Sequence, residues 1–479
     1  MSVLILPNQL FEHNYLIKKY PSQVIIYEHP KFFTSHEYHK QKLMLHRATM
    51  KYYADYIHQT HGSKITYLEY HQKINFDKYQ KIYTYDPVDY EISDQFASYE
   101  NFEVFDTDLF IESMSELESF HETHPNAKHN TFYIWQRTRL NILVKNDRPI
   151  GGKWSFDKQN RIPFPKSYQD TYEIKFLDND YIEEARKYIN KHFHDNFGDD
   201  TFYLPIEYPS VKKHFNLFLK HRLGCFGTYE DGISKNVFLG CHSLLSPYLN
   251  IGYLTPKYVI SKALQYYQKY NIHINEIEAF IRQIIGWRSY VRYIYIFRRD
   301  NLLTNHFNHT HKLSKKWYSK IGIPPIDHVI DKVKKYAYAH HIERLMIVGN
   351  FMLLNRIRPS HVINWYYKFI DAYEWVMEPN VYGMSQYATN LMMTRPYFSS
   401  SNYIFKMSDF DKKISAKIIL PSGTYEWYEI WDALYYHFVN DNQIEFIKNY
   451  AVANAVRNFN KKPDKKNIIK IAKEYLQHY

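Results

Sequence analysis

The rhythm of apolar and polar positions changes near residue 125. Before it, short apolar or β-branched runs, Val3 to Leu6, Val24 to Tyr27, Ile65 to Leu68, Ile82 to Tyr85 and Phe102 to Phe105, alternate with helical or polar segments. That alternation predicts a parallel sheet with covering helices. The first strand runs into Pro7-Asn8-Gln9 without a GxGxxG, which argues against dinucleotide binding in this half. A helix around residues 37–59 is amphipathic and rich in Lys, His and Tyr, and its charges are expected on a solvated face. From Thr131 to Pro165 an aromatic-basic helix leads into PIGGKWSFDKQNRIPFP, where Pro149, Gly151, Gly152 and Pro163 mark an inter-domain connection. After about Ile182 the period is helical almost to the end, with long helices expected around 184–196, 212–223, 256–270, 274–297, 327–355 and 361–373. The fold class is therefore an α/β N-terminal domain with a Rossmann-like parallel sheet (1–130), a connector (131–181) and an all-α C-terminal domain (182–479).

Within the helical half, Lys335 to Ala388 is the most informative stretch. Pro359 suits the first turn of a helix, where a missing N–H costs nothing. Before it, Leu345, Met346, Val348, Phe351, Leu353 and Leu354 are apolar nearly all round, the pattern of a buried helix. Such a helix pair carrying His340, His341, Arg344 and Asp371 needs partners for each polar group, or a ligand that supplies them.

Composition changes this picture in three ways. With 479 residues the chain exceeds the size at which one core stops growing, so two domains and a buried cofactor are both affordable. The balance of 61 Lys+Arg against 50 Asp+Glu favours a polyanionic partner, while 48 Tyr, 31 Phe and 8 Trp supply rings that can stack on bases or a flavin. Only Cys225 and Cys241 are present and no CxxC occurs, so neither a disulfide framework nor a cysteine-ligated cluster is expected, and the compartment reads as reducing. The N-terminal MSVLILPNQLFEHNY lacks a basic leader and a small-residue cleavage site, and no stretch approaches a membrane span; the expectation is a soluble intracellular protein. His306-x-x-His309-x-His311 has loosely metal-like spacing, but without a nearby acidic or cysteine ligand no metal is expected there.

Several stretches carry a resemblance when taken together: FIRQIIGWR at 280–288, AYAHHIERLM at 337–346, DAYEWV at 371–376, PNVYGMSQ at 379–386 and TRPYFSSSNYIFKMSD at 394–409, with GGKWSFDKQNR at 151–161 and HSLLSPYLNIG at 242–252 as weaker matches. In order and spacing they resemble the cryptochrome/photolyase family, and within it the bacterial (6-4) photolyase branch that usually carries an iron–sulfur cluster. The resemblance implies a light-driven DNA repair enzyme binding UV-damaged DNA, with FAD held in the helical domain. It implies Tyr229, Ser243, Leu244, Leu245, Ser246, Phe280, Gln283, Arg288, Arg344, Asp371, Met377 and Asn380 as cofactor residues, with Arg344 and Asp371 a charged pair beside the flavin ring. His341, with His340 as neighbour, would face the lesion as a proton donor. If both histidines are helical they point about 100° apart and do not share one role. Trp365, Tyr366 and Trp317 match the aromatic chain through which the flavin is photoreduced. Tyr397 and Tyr403 would meet the lesion, and Arg395 and Lys406 the DNA phosphates.

Departures qualify the resemblance. Where the branch has four cluster cysteines this chain has Pro325, Asp411, Ile414 and about Glu429, so no iron–sulfur cluster is expected, and packing by residues such as Trp427, Trp431 and Tyr435 must replace its cross-link. Met377 stands where a polar residue usually faces the flavin. Antenna-pocket matches are poor, which leaves a lumazine-type antenna open. Cyclobutane-dimer repair and a cryptochrome-like photoreceptor without repair activity are the alternative functions. A monomer is expected, located with DNA in the cytoplasm or nucleoid, or in a nucleus or virus particle for a eukaryotic or viral host.

Overall fold

A computed structural model describes residues 1–478. Five strands, β1 (Ser2–Ile5), β2 (Gln23–Tyr27), β3 (Lys64–Leu68), β4 (Ile82–Tyr85) and β5 (Phe102–Phe105), form one sheet in the order β3-β2-β1-β4-β5. Every pairing is parallel, with Val3 opposite Val24 and Ile25 opposite Thr66. Central β1 and β4 are buried along their whole length, so their runs are continuously apolar, whereas edge strand β5 exposes Glu103 and Val104.

The helix Lys40–His61 corrects one expectation. It ends on Gly62, whose left-handed φ of 66° closes the last turn, but its first half is not a solvated charged face. Lys42, His46 and Arg47 are all buried, because this part of the helix is clasped between the sheet and the helical half. Arg47 bonds Glu28 at 2.8 Å and Glu184 of the helix Asp180–His192. Gln41 donates to the Lys335 carbonyl at 2.7 Å, and Lys42 donates to the Ala372 carbonyl.

In the helical half, Ile274–Ile281 passes through a π-helical turn, Arg282–Arg288, into Ser289–Arg298. The continuous helix expected over 327–355 is instead broken. Pro324–Tyr336 ends on Ala337 with φ 51°, and helical structure resumes only beyond His340, through the π turn Glu343–Gly349 to Asn350–Leu354. A local hydrogen bond competes with helix here, since the Glu343 carboxylate accepts the His340 backbone N–H at 3.0 Å. A third π turn spans Pro379–Ser385.

The cysteines also overturn their expectation. Cys225 and Cys241 form a disulfide across a sequence separation of 16, with Cα atoms 5.8 Å apart. Their spacing gave no hint because the chain's return, and not a local motif, brings them together. Part of that return is the Arg222 guanidinium, which donates to the His242 carbonyl at 3.1 Å. Near the positions of the missing cluster cysteines, fully buried Trp427 donates its indole N–H to the Ile414 carbonyl at 2.7 Å, and Trp431 donates to Ser399 at 3.0 Å.

Candidate functional site

One polar network draws residues from three distant segments. Arg344 Nη1 donates to Asp371 Oδ1 at 3.0 Å, and Ser246 Oγ donates to Asp371 Oδ2 at 2.7 Å. Asn250 donates to the Asp371 backbone carbonyl at 2.9 Å and its own Oδ1 accepts from Arg288. Arg288 also donates to the carbonyls of Leu249 and Leu109, and burial lowers its pKa to about 9. Leu244 holds a positive φ of 55°, a costly conformation for a leucine and a sign that neighbouring contacts fix the Ser243–Ser246 turn. The three π turns carry Gln283 and Arg288, Arg344, and Asn380, so each widened turn coincides with expected cofactor residues. Among the described residues the side chains of Ser243 and Gln283, both partly exposed, find no hydrogen-bond partner.

Beside this network lies a cluster of three imidazoles. His340 is buried and stacks on His242 with ring centroids 4.6 Å apart. His341 is half-exposed, its Nε2 3.4 Å from Asp231 and its Nδ1 3.3 Å from His242 Nε2. The 100° divergence expected of adjacent helical histidines does not hold, because the backbone leading into His340 is not helical and both rings converge on His242. Their protonation separates. Burial drives His340 well below the ordinary histidine range and takes His242 to about 3. Burial would lower His341 too, but the hydrogen bond and charge of Asp231 and the charge of Glu230 outweigh it and raise its pKa. Burial lifts the Glu230 carboxyl to about 7, opposed by Arg282 at 3.2 Å.

The aromatic candidates surround these groups. Trp365 is fully buried, its indole N–H on the Trp317 carbonyl at 2.9 Å and its ring 5.6 Å from Phe369, over which the Arg344 guanidinium lies at 3.9 Å. Tyr366 donates to the Arg344 carbonyl at 2.6 Å. Phe280 packs against Phe218 and Phe226, while Tyr229 stacks on Phe164. Met377 is buried, and Asn380 donates to the Val376 carbonyl at 2.6 Å. Leu244 and Leu245 are buried beneath the turn. Arg395 lies over the Tyr397 ring at 5.4 Å, Tyr403 is partly buried, and Lys406 is exposed.

Sequence reasoning gave no role to His242, Asp231, Asn250 or Arg161, although all but Asp231 lie in a quoted stretch. Arg161 bonds Asp157 at 2.8 Å, and its charge acts on both Tyr397 and Tyr403. These residues belong to loops and one short helix, where no periodicity links them to the histidines.

Comparison with known proteins fits this geometry. Residues 3–203 match the family model described as deoxyribodipyrimidine photo-lyase-related protein. A (6-4) photolyase of Agrobacterium fabrum is 35% identical over 306 residues, 63% of this chain and 60% of that protein. The chain is thus similar to photolyase-related proteins over its first 203 residues and to a (6-4) photolyase over 306.

Among solved structures of cryptochromes and photolyases, a class III photolyase from Agrobacterium tumefaciens has a TM-score of 0.54 at 14% identity, covering 85% of this chain and 86% of that one. A Synechocystis cryptochrome reaches 0.57 at 13% identity, over 85% and 88%. These share the two-part fold of a parallel sheet followed by helices. The match to the curated (6-4) photolyase spans about three fifths of that relative's length, 60%.

The donor set suits FAD, the cofactor that the resemblance implies. Ser243 and Gln283 offer unpartnered polar groups, and the Arg344–Asp371 pair offers a cation and a carboxylate at one place. A second chromophore fits less well. Beyond the carboxyl ends of β2 and β4, the crevice where such sheets bind ligands, Lys31, Tyr38, Asp89, Glu374 and Trp375 leave a cavity of ≈ 10 Å³. That is room for about one water, so no lumazine ring system fits there with these side chains in place. A surface cleft of ≈ 640 Å³ lined by Lys51, Asp55, His58, Lys64, Tyr67 and Glu184 contains none of the expected site residues. His306, His309 and His311 do not converge: His306 pairs with Glu445 at 2.9 Å, His311 with the Asn355 carbonyl at 2.9 Å, and His309 is buried. No helix of the described residues is long and apolar enough to cross a membrane.

Proposed function

We propose that this protein is a light-driven DNA photolyase that reverts (6-4) pyrimidine photoproducts with FAD as cofactor. The observation that carries the reading is the placement of His341 on the same segment as Arg344. One residue presents a half-exposed, proton-rich imidazole, and three positions on the other pairs with Asp371 inside the helical half. FAD, when bound, supplies the photoexcited electron that lesion splitting requires.

The chain's own residues do the rest. Ser243, Ser246 and Gln283 would hold the cofactor's polar groups, and Arg344 would offset negative charge on it while Asp371 keeps that cation in place. Splitting this lesion moves a hydroxyl from one base to the other, so a proton must be delivered. His341 Nε2 would hold that proton, because Asp231 raises its pKa. Tyr397 and Tyr403 would flank the flipped bases, with Arg161, Arg395 and Lys406 toward the phosphates. With both cysteines paired to each other and Pro325, Asp411, Ile414 and Glu429 at the cluster positions, the chain offers no thiolate set for iron.

The test uses photoreduced, FAD-loaded protein with oligonucleotides carrying either a (6-4) photoproduct or a cyclobutane dimer. Under blue light, chromatography should show restored bases from the first and not the second; repair of the dimer alone, or of neither, refutes the proposal. His341→Ala should abolish (6-4) turnover with flavin absorbance intact, and unchanged turnover removes its assigned role.

A further inference from the structure

The three-imidazole cluster contains more order than one proton donor needs. His242 Nδ1 lies 3.1 Å from the Leu239 carbonyl. A carbonyl only accepts, so this nitrogen carries the ring's proton. In a neutral ring Nε2 is then an acceptor, and it lies 3.3 Å from His341 Nδ1. His341 must therefore donate from Nδ1. Its Nε2 faces the Asp231 carboxylate at 3.4 Å and also requires a proton to make a favourable contact. The two contacts together define a doubly protonated His341.

We propose that His242 is a positioning residue: by accepting the Nδ1 proton of His341 it holds that ring as an imidazolium and leaves the Nε2 proton as the one delivered to the lesion. The proposal rests on the photolyase reading for the delivery step, whereas the hydrogen-bond assignment stands on the cluster alone. His340 locks the acceptor in place. It stacks on His242 at an interplanar angle of 13°, and is itself fixed by Glu343, which accepts its backbone N–H. The Arg222 contact to the His242 carbonyl fixes the backbone from the other side.

The groups facing the pair agree on balance. Asp231 and Glu230 favour charge on His341 and Arg282 opposes it. Around His242, burial, the charge of His341 and that of Lys332 oppose a second proton, outweighing the carbonyls of Leu239 and Glu230. Lys332 is itself neutralised by Glu343 at 2.9 Å. Nearby His340 stays neutral, as burial and the charges of Lys332 and Arg344 dictate.

The experiment reads the protons directly in the FAD-loaded full chain with nitrogen-15-labelled histidine, by long-range proton–nitrogen correlation across a pH series. Wild type should show His242 neutral with its proton on Nδ1, and His341 protonated on both nitrogens below its pKa. A His242 ring protonated on Nε2, or charged near pH 7, overturns the proposal. His242→Met, which removes the acceptor, should lower the His341 pKa by about one unit, the size expected for losing one hydrogen bond to a charged group. The alkaline limb of (6-4) repair should move down with it. His242→Gln places an amide oxygen near the lost Nε2 and should restore most of the shift. An unmoved His341 titration in His242→Met, or an equal loss in both variants, overturns the proposal. If His242→Met fails to retain flavin absorbance, the wild-type tautomer decides alone. Should wild type repair no (6-4) lesion while the titrations behave as described, the photolyase reading falls and the His242 assignment stands.

Discussion

Opening the Cys225–Cys241 disulfide is the perturbation that best separates what a covalent tie contributes from what packing contributes. For a sequence separation of 16, the chain-entropy treatment assigns about 3 kcal/mol to the constraint on the unfolded chain. The enclosed loop carries Tyr229, Glu230 and Asp231, but it has other anchors. Ser234 donates to Asp409 at 2.7 Å, Ile233 N–H to the Met407 carbonyl at 3.0 Å, Leu239 N–H to Asp170 at 2.8 Å, and Lys332 to the Phe238 carbonyl at 2.7 Å. These remain when the sulfurs separate, so the folded loop should keep its place and only the entropic contribution should be lost. For 479 residues the unfolding entropy is about 1 kcal/mol per kelvin if the chain melts as one unit, so reduction by dithiothreitol or a double Cys→Ser change should lower the melting temperature by about 3 °C. Calorimetry with and without the dithiol measures the shift, and maleimide labelling of denatured, unreduced protein counts free thiols. Two reactive thiols before reduction would refute the pairing. A fall of ten degrees or more would refute the reasoning that polar anchors, and not the covalent tie, hold the loop.

Other outcomes follow from single contacts. Trp427→Phe leaves the Ile414 carbonyl without its indole donor and should cost about 1–3 kcal/mol, read as a lower urea midpoint with the flavin spectrum unchanged. Glu374 is held down to about 2: burial would raise it, but its hydrogen bonds from His36 and Lys31 prevail. Its folded pKa is depressed, so its contribution of about 3 kcal/mol is fully present above the unfolded value near 4.5 and is lost as pH falls toward 2. Denaturation of wild type and Glu374→Gln should therefore show a gap that is constant from pH 7 to about 4.5 and narrows below. Lys406→Ala should reduce the log–log salt slope of binding to lesion-bearing duplex by about 0.9 if Lys406 meets one phosphate, and an unchanged slope removes that contact.

Central strands were legible because they are buried on both faces and read as near-continuous apolar runs, as from Val24 to Tyr27 and in Ile82–Tyr85; edge strand Phe102–Phe105 was legible from its aromatic and β-branched residues although Glu103 and Val104 are exposed. The break at Ala337 was not legible, since KYAYAHHIERLM has no glycine or proline and satisfies a helical period. What wins there is one side chain, Glu343, accepting a backbone N–H that helix would otherwise use. The buried charges of Lys40–His61 were misread for a related reason. Periodicity reports polarity, and it cannot say that Glu28, Glu184 and the Ala372 carbonyl arrive from elsewhere to satisfy Arg47 and Lys42. Within the candidate site, Arg344 and Asp371 could be paired from the resemblance. His242 could not be joined to His341, because that contact crosses from a loop to the end of another.

The filled crevice at the sheet's carboxyl edge then acquires a reason. Lys31, in the short helix Pro30–Phe33 that follows β2, bonds Glu374 at 2.8 Å and Glu91 at 2.8 Å, and Lys42 donates to the carbonyl of Ala372. Glu374 and Ala372 lie within three residues of Asp371, the carboxylate that orients Arg344. The α/β half thus grips the strip Asp371–Glu374 from the side opposite Ser246 and Asn250. Burial lowers Lys42 to about 7 with Asp371 opposing the shift, so its own charge is the least secure element of that grip. The sheet domain is therefore part of the site's support: Lys31, His36 and Lys42 hold the Asp371 strip from the α/β side, complementing Ser246, Asn250 and Arg344 on the helical side.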